Sequence, residues 1–171
     1  MDARGHIIVC GIDGSPASQR ALEWAVAEAR FRGCSLRAVT AWEWDGVDGM
    51  IAPATSEEAH GQAEIVQRRA LIAALEGMMN PPEVERRLVR GRPSEALTAA
   101  SLDAELLVVG GRGHSAMHDA LVGSTSQRVI RHASCPVVVL PDPQHLEAEE
   151  QRRVRQRHRR TAEPPRSAPM F

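Results

Sequence analysis

Residues 106–124 read LLVVGGRGHSAMHDALVGS, and they indicate the fold more clearly than any other part of the chain. The apolar run Leu106–Val109 predicts a strand buried on both faces, and residues 124–132 are typical of a helix. A glycine-rich segment joins the two. Such a loop lets backbone N–H groups approach an anion, and the helix N-terminus adds about half a positive charge. The stretch therefore predicts an α/β unit with a phosphate site, and a nucleotide is the usual carrier of the phosphate.

The common nucleotide loops do not fit this stretch. A P-loop requires Gly-Lys-Ser/Thr, and all 21 basic residues of the chain are arginines. Gly111, Gly113 and Ala116 match the dinucleotide fingerprint GxGxxA only loosely, and they follow a strand late in the chain rather than the first one. The glycine spacing indicates a different nucleotide-binding loop.

Strands and helices alternate along the rest of the chain. Ser15 and Pro16 are typical of a helix start, and the charged segment 84–90 predicts an exposed edge strand. The order β-α-β-α-β-α-β-α-β predicts an α/β fold with a parallel sheet and helices on both faces. The predicted strands are 7–12, 35–42, 84–90, 106–109 and 136–140, and the predicted helices are 16–32, 56–79, 93–102 and 124–132. In the second helix, Ile65, Ile72, Leu75 and Met79 are expected to face the core.

The expected ligand site lies where parallel strands end. Parallel sheets bind ligands at the C-terminal ends of their strands, at the point where the strand order reverses. Glycine-containing turns follow the first strand, at Gly11–Gly14, and the fourth, at Gly110–Gly113. These two turns form one site if the first and fourth strands are neighbours.

Composition limits the functional classes. The 171 residues are 43% hydrophobic and 25% charged, as in one globular domain. With three Trp, two Phe and no Tyr, a nucleobase site would use aliphatic side chains and backbone rather than stacking. A net charge of −1 argues against general affinity for nucleic acid or membranes. No signal-peptide core or apolar run of about 20 residues is present, so a soluble, cytoplasmic protein is expected.

The composition of the chain changes after Pro143, where charged residues replace the apolar runs. Residues 1–143 are expected to form one domain, and residues 144–171 a charged, Arg-rich tail that is partly helical or disordered. Six arginines and no acidic residue fall in 151–160. A solvated appendage is the favoured interpretation, and an arm for nucleic acid or an acidic protein is the alternative.

Neither metal nor covalent chemistry is predicted. The three cysteines have no CxxC spacing, and Cys10 is expected to be a buried, reduced thiol. His114 and His118 are four residues apart, but no carboxylate or cysteine completes a ligand set, and His132 adds nothing to one. No Ser-His-Asp or Cys-His set is evident, so no catalytic residue is assigned.

Two motifs carry a resemblance to a known family. Gly11-Ile12-Asp13-Gly14-Ser15 is followed by Ala21-Leu22-Glu23-Trp24-Ala25, and Gly110, Gly113 and Gly123-Ser124 have the spacing G-2x-G-9x-G-(S/T). Together they resemble the universal stress protein family over about residues 5–141. The resemblance implies a Rossmann-like, adenine nucleotide alpha hydrolase-like fold with a five-stranded parallel sheet. It also implies ATP binding, because family members with the complete glycine motif bind ATP, and a homodimer formed through the last strand.

The resemblance also assigns roles to residues. Asp13 would meet the ribose or phosphates, and the backbone at Ile12 and Ala41 would flank adenine. Amides of Gly110, Gly113 and Gly123 would reach the phosphates, and Ser124 and Thr125 would donate at the helix N-terminus. Mg²⁺ would accompany the phosphates. The remaining candidates lie in the same two turns: Gly11, Gly111, Arg112, His114 and Ser115.

The function expected from these features is a cytoplasmic ATP-binding universal stress protein that regulates an unidentified protein partner and hydrolyses little or no ATP. One alternative is an ATP-hydrolysing or adenylylating enzyme of the same fold group. Another is a non-nucleotide adaptor that uses the Arg-rich tail to bind nucleic acid or an acidic partner. The sequence leaves open whether the nucleotide is ATP, AMP or a cyclic nucleotide.

Overall fold

A computed structural model describes residues 6–44, 55–111 and 122–142. Within these residues, five strands alternate with four helices in the predicted order. The Arg-rich tail at 144–171 therefore lies outside the described residues, and the domain boundary at 143 stays a prediction. The elements are β1 (Ile7–Gly11), α1 (Pro16–Arg32), β2 (Ser35–Trp42), α2 (Ser56–Leu75), β3 (Val84–Arg90), α3 (Pro93–Ala100), β4 (Leu106–Gly110), α4 (Ser124–His132) and β5 (Val137–Leu140).

The five strands form one parallel sheet in the order β3-β2-β1-β4-β5. The first and fourth strands are therefore neighbours, with Cys10 opposite Val108. The charged strand β3 lies at one edge, as predicted, and the apolar strand β5 lies at the other. Because β1 and β4 are neighbours, the two glycine turns that follow them lie side by side and can form one site.

Helices cover both faces of the sheet, because alternate residues of the buried strands point to opposite sides. Ile8 and Cys10 belong to a core cluster with α1 and α2, and Val9 belongs to a second cluster with α3 and α4. All three side chains are fully buried. The predicted α/β fold, with a five-stranded parallel sheet between two helical layers, is confirmed.

The first helix begins and ends as its sequence predicts. The Ser15 hydroxyl accepts a hydrogen bond from the Ser18 amide at 3.1 Å, and Pro16 occupies the first turn. At the other end Gly33 has a φ of 68°, a left-handed conformation that favours glycine. These caps fix where the chain enters and leaves α1.

The prediction for α2 is wrong in two respects. The helix ends at Leu75 rather than at residue 79, before a turn in which Gly77 has a φ of 67°. Ile65, Ile72 and Met79 are exposed rather than buried. The face that packs on the sheet consists of three alanines, which allow the helix to approach closely, together with one amide and one leucine: Ala59, Ala63, Ala70, Gln67 and Leu71.

Two buried polar side chains tie the edge strand to the rest of the sheet. Gln67 is fully buried and donates to the carbonyls of Ala38 and Arg87, at 3.1 and 3.0 Å. On the other face, Arg37 is buried and pairs with Glu85 at 2.7 Å and Asp103 at 2.6 Å. Both groups satisfy the rule that a buried polar group needs partners.

None of the helices in the described segments is long and apolar enough to cross a membrane.

Candidate functional site

The candidate site lies at the C-terminal edge of the sheet, between β1 and β4. From β1 the chain crosses to β2 on one side, whereas β4 is followed by β5 on the other. This divergence opens the crevice in which parallel α/β sheets bind ligands. The turn after Gly11 and the turn after Gly110 meet there, as the sequence predicts for neighbouring strands.

The first turn is held by short hydrogen bonds. The Asp13 carboxylate accepts from the Ser15 amide at 2.9 Å, and the Ile12 amide donates to the Val39 carbonyl at 2.9 Å. Asp13 therefore forms an Asx-turn that leads into α1, and it is exposed at the sheet edge. The Ile12 side chain is buried in the core.

Gly110 lies against the start of α1. A β-carbon built on Gly110 would come within 2.7 Å of the Ala17 carbonyl carbon and 2.8 Å of the Ser18 amide nitrogen. Backbone atoms leave no room for that carbon. The Ser126 hydroxyl donates to the Gly110 carbonyl at 2.6 Å. Gly110 thus joins the start of α1, the end of β4 and the start of α4.

The second turn is closed by backbone bonds. The Gly111 amide donates to the Leu140 carbonyl, and the Gly123 amide donates to the Gly111 carbonyl, both at 2.6 Å. In this structure the Gly123 amide, which the resemblance assigns to a phosphate, closes the turn. The first-turn amides of α4, at Ser124, Thr125 and Ser126, have no acceptor within their helix. They are the natural donors to an anion at this edge.

The helix start that carries these amides has no side-chain cap. Gly123 is the N-cap residue of α4, with an extended backbone, and it offers no side-chain acceptor. The N-terminal end of a helix attracts negative charge. An anion bound here would satisfy amides that a Ser or Asp cap satisfies in other helices.

On the expected adenine side, Trp42 at the end of β2 is a packing residue. Its ring meets His60 of α2 edge-on, with centroids 5.4 Å apart, and the Arg90 guanidinium carbon lies 5.7 Å from the ring centroid. The neighbouring Ala41 is half-buried. These contacts hold the Trp42 ring between α2 and the end of β3.

Cys10 lies in the core beneath the edge. Burial raises the pKa of its thiol far above the ordinary value, and the nearby charge of Asp13 adds to the effect. The Cys10 thiol is free and fully buried, so the predicted burial of this cysteine is confirmed.

The described residues bring together part of the predicted set. Gly11, Ile12, Asp13, Gly110, Gly111, Gly123, Ser124 and Thr125 lie in the two turns, and Ala41 lies at the end of β2. Arg112, Gly113, His114 and Ser115 fall outside the described residues, as does His118. Sequence reasoning missed Ala17 and Ser18, although the small residues at the start of α1 are a signal of close packing.

A model of the universal stress protein family matches residues 5–141. The chain belongs to the universal stress protein family. It is 33% identical over 153 residues to a universal stress protein of Mycobacterium tuberculosis, covering 79% of this chain and 48% of that relative. It is 35% identical over 136 residues to one of Thermus aquaticus, covering 78% of this chain and 96% of the relative. The chain thus spans about half the length of the mycobacterial relative and nearly all of the other.

Solved structures of this family share the fold. A universal stress protein crystallised in complex with cAMP has a TM-score of 0.57 and 28% identity, covering 80% of this chain and 97% of that one. UspA from Lactobacillus plantarum has a TM-score of 0.62 and 24% identity, covering 81% of this chain and 99% of that one. The likeness to the second structure concerns the fold alone, which is the Rossmann-like fold of universal stress proteins.

Proposed function

We propose that this universal stress protein binds an adenine nucleotide, ATP with Mg²⁺, between β1 and β4 and acts as a nucleotide-linked regulator. One observation carries the proposal. The uninterrupted spacing from Gly110 to Gly123-Ser124 connects the end of β4 to the uncapped start of α4, at the point where the sheet order diverges. Neither a tight turn nor a helix start alone requires that combination.

The proposal assigns a part of the nucleotide to each group of residues at the C-terminal edge of the sheet. The first-turn amides of α4 donate to phosphate oxygens, with the hydroxyls of Ser124 and Thr125 beside them. Asp13, held by its Asx-turn, faces the ribose or the Mg²⁺ that accompanies the phosphates. Backbone groups at Ile12 and Ala41 flank adenine. The glycine loop between β4 and α4 completes the phosphate contacts with Arg112, Gly113, His114 and Ser115.

The cAMP complex of a relative supports the class of ligand, an adenine nucleotide. The complete glycine motif supports ATP over cAMP, because it provides backbone donors for several phosphates rather than for one. We therefore expect ATP to bind more tightly than AMP or cAMP.

In the proposed mechanism, nucleotide occupancy is the signal. A ligand that binds the folded loop stabilises it by RT ln(1 + [L]/Kd), about 2.7 kcal/mol at a hundredfold excess over Kd. A partner protein in the cytoplasm then distinguishes the occupied from the empty form. The apolar edge strand β5 is the proposed homodimer contact, because its four residues are only half-buried.

Hydrolysis is slow or absent in this proposal. Rapid phosphoryl transfer needs a positioned nucleophile, charge neutralisation and a base or water-orienting group. Asp13 already accepts a hydrogen bond from the Ser15 amide, which holds it at the start of α1. Asp13→Asn keeps an acceptor for that amide and removes the charge, so this variant separates Mg²⁺ binding from local structure.

The test is calorimetry on protein stripped of nucleotide, with ATP–Mg²⁺, AMP and cAMP as ligands. We expect ATP to bind. Gly123→Val should abolish binding, because the branched side chain would block access of the phosphates to the N-terminus of α4. Gly61→Ala in α2 is the matched control, since nothing lies within 4 Å of the added carbon. Absence of heat with all three ligands, together with no nucleotide released on denaturation, would overturn the proposal.

A further inference from the structure

Three metal-binding side chains meet at the opposite edge of the sheet. His6, Cys34 and Glu105 each stand immediately before a strand: β1, β2 and β4. These strands are adjacent in the order β2-β1-β4. Because the N-terminal ends of parallel strands share one edge, residues far apart in sequence come together there, away from the nucleotide site.

The side chains are close enough to share one ion. His6 Nδ1 lies 2.9 Å from one Glu105 oxygen, and the Cys34 sulfur lies 3.5 Å from the other. The three ligand atoms lie within 4.8 Å of one another. Zn²⁺ bonds of about 2.0 Å to nitrogen or oxygen and 2.3 Å to sulfur place tetrahedral ligands about 3.3–3.6 Å apart. Side-chain shifts of about 1 Å therefore complete the geometry.

The backbone under this cluster is fixed. The Ser35 amide donates to the His6 carbonyl at 2.8 Å, and the Glu105 amide donates to the Ile7 carbonyl at 2.9 Å. The Cys34 amide donates to the Ala29 carbonyl at 2.8 Å, which ties it to the end of α1. These bonds fix the backbone that carries the three side chains, which reduces the ordering cost of binding.

We propose that His6, Cys34 and Glu105 form a site for Zn²⁺ or a similar borderline-soft divalent ion, with water as the fourth ligand. An N, S and O donor set selects such ions over Mg²⁺ and Ca²⁺, which prefer oxygen alone. A thiolate and a carboxylate balance the two positive charges of the ion. On binding, the thiol proton that points to Glu105 is released to solvent and an S–Zn bond forms.

The exposure of the three side chains indicates from which side the ion would enter the site. Cys34 is buried, whereas the side chain of Glu105 is 31% exposed and that of His6 is 81% exposed. The ion would therefore sit on the thiolate with its open position toward solvent.

The test is Co²⁺ titration of the full chain, stripped with a chelator and reduced without added thiols. We expect one equivalent of Co²⁺ to give a sulfur-to-cobalt charge-transfer absorption band that excess Mg²⁺ does not remove and Zn²⁺ does. Cys34→Ser should lose the band. Cys135→Ser is the matched control and should keep it, because Cys135 belongs to no such cluster among the described residues.

If Cys34→Ser does not fold, variants of the two more exposed ligands test the metal site instead. His6→Gln and Glu105→Gln are expected to weaken Co²⁺ binding by at least the roughly tenfold to hundredfold that loss of a supporting group costs in metal sites. Absence of a charge-transfer band in the parent protein, its survival in Cys34→Ser, or unchanged affinity in both surface variants would overturn the proposal. No nucleotide is present in the titration, so the outcome is independent of the proposed function.

Discussion

Gly110 and Ala17 are in such close contact that no side chain can replace the hydrogen on Gly110. A β-carbon there would lie 2.7 Å from the Ala17 carbonyl carbon. The first glycine of the nucleotide motif therefore has a packing role as well as any ligand role. It lets the start of α1 reach the end of β4.

Gly110→Ala is expected to destabilise the protein by about 1–3 kcal/mol, the usual cost of forcing a carbon into a packed site. It should also weaken nucleotide binding, because α1 must move away from β4. Urea unfolding followed by circular dichroism measures the first effect. Gly61→Ala is the control and should stabilise by about 0.5–1 kcal/mol, since it removes a glycine from a helix interior without a clash. Equal stability of the two variants would contradict the packing role.

Ser126→Ala removes the 2.6 Å hydrogen bond that connects α4 to the Gly110 carbonyl. Loss of such a bond costs about 0.5–1.5 kcal/mol. Because the bond positions the first turn of α4, we expect a loss of ATP affinity that exceeds that of Gln127→Ala, whose side chain bonds the Val122 carbonyl at 3.0 Å and is exposed. Paired calorimetric titrations measure the difference, and identical affinities would show that the Ser126 bond does not position the site.

Gln67→Leu fills the same space without the amide. The carbonyls of Ala38 and Arg87 then lose a donor in the interior, so we expect a destabilisation of about 1–3 kcal/mol. Gln62→Leu lies on the exposed side of the same helix and should change stability by no more than about 0.5 kcal/mol. Guanidinium unfolding of both variants gives the comparison. A neutral Gln67→Leu would mean that packing alone holds α2 on the sheet.

The Arg37 cluster predicts a pH dependence of stability. Hydrogen bonds from Arg37 lower the pKa of Glu85 and of Asp103 from their ordinary values. Each carboxyl binds its proton less readily when folded, so its stabilisation is present above the unfolded pKa of about 4 and is lost as pH falls through the lower folded pKa. The free energy of unfolding should therefore decline on acidification below about pH 4.5.

Arg37→Met is expected to make that decline shallower, because the pKa of Asp103 then rises toward its ordinary value. The pKa of Glu85 rises only part of the way, since Arg87 still donates a hydrogen bond to Glu85. Arg92→Met, which removes an exposed pair with Glu95 at 3.6 Å, should leave the slope unchanged. Urea unfolding at a series of pH values measures both slopes. Parallel curves for the parent protein and Arg37→Met would contradict the assignment.

Local signals predicted most of the elements. The apolar runs of β1 and β4, the Ser15-Pro16 start of α1 and the charged edge strand β3 all lie where the sequence places them. The exception is α2, where the large apolar residues Ile65 and Ile72 are exposed and small residues pack instead. The alanines of α2 face the sheet because a helix approaches a sheet more closely with alanines at the contact than with isoleucines.

Residues close together in the chain are enough to predict the alternation of strands and helices, the start of α1 at Ser15-Pro16 and the glycine spacing. The folded arrangement was needed to show that β1 lies beside β4, that Gly110 lies against Ala17, and that His6, Cys34 and Glu105 share one edge. Periodicity and turn chemistry indicate whether a segment is buried, whereas strand order depends on contacts between distant segments. Both proposed sites are products of that order, one at each end of the same neighbouring strands.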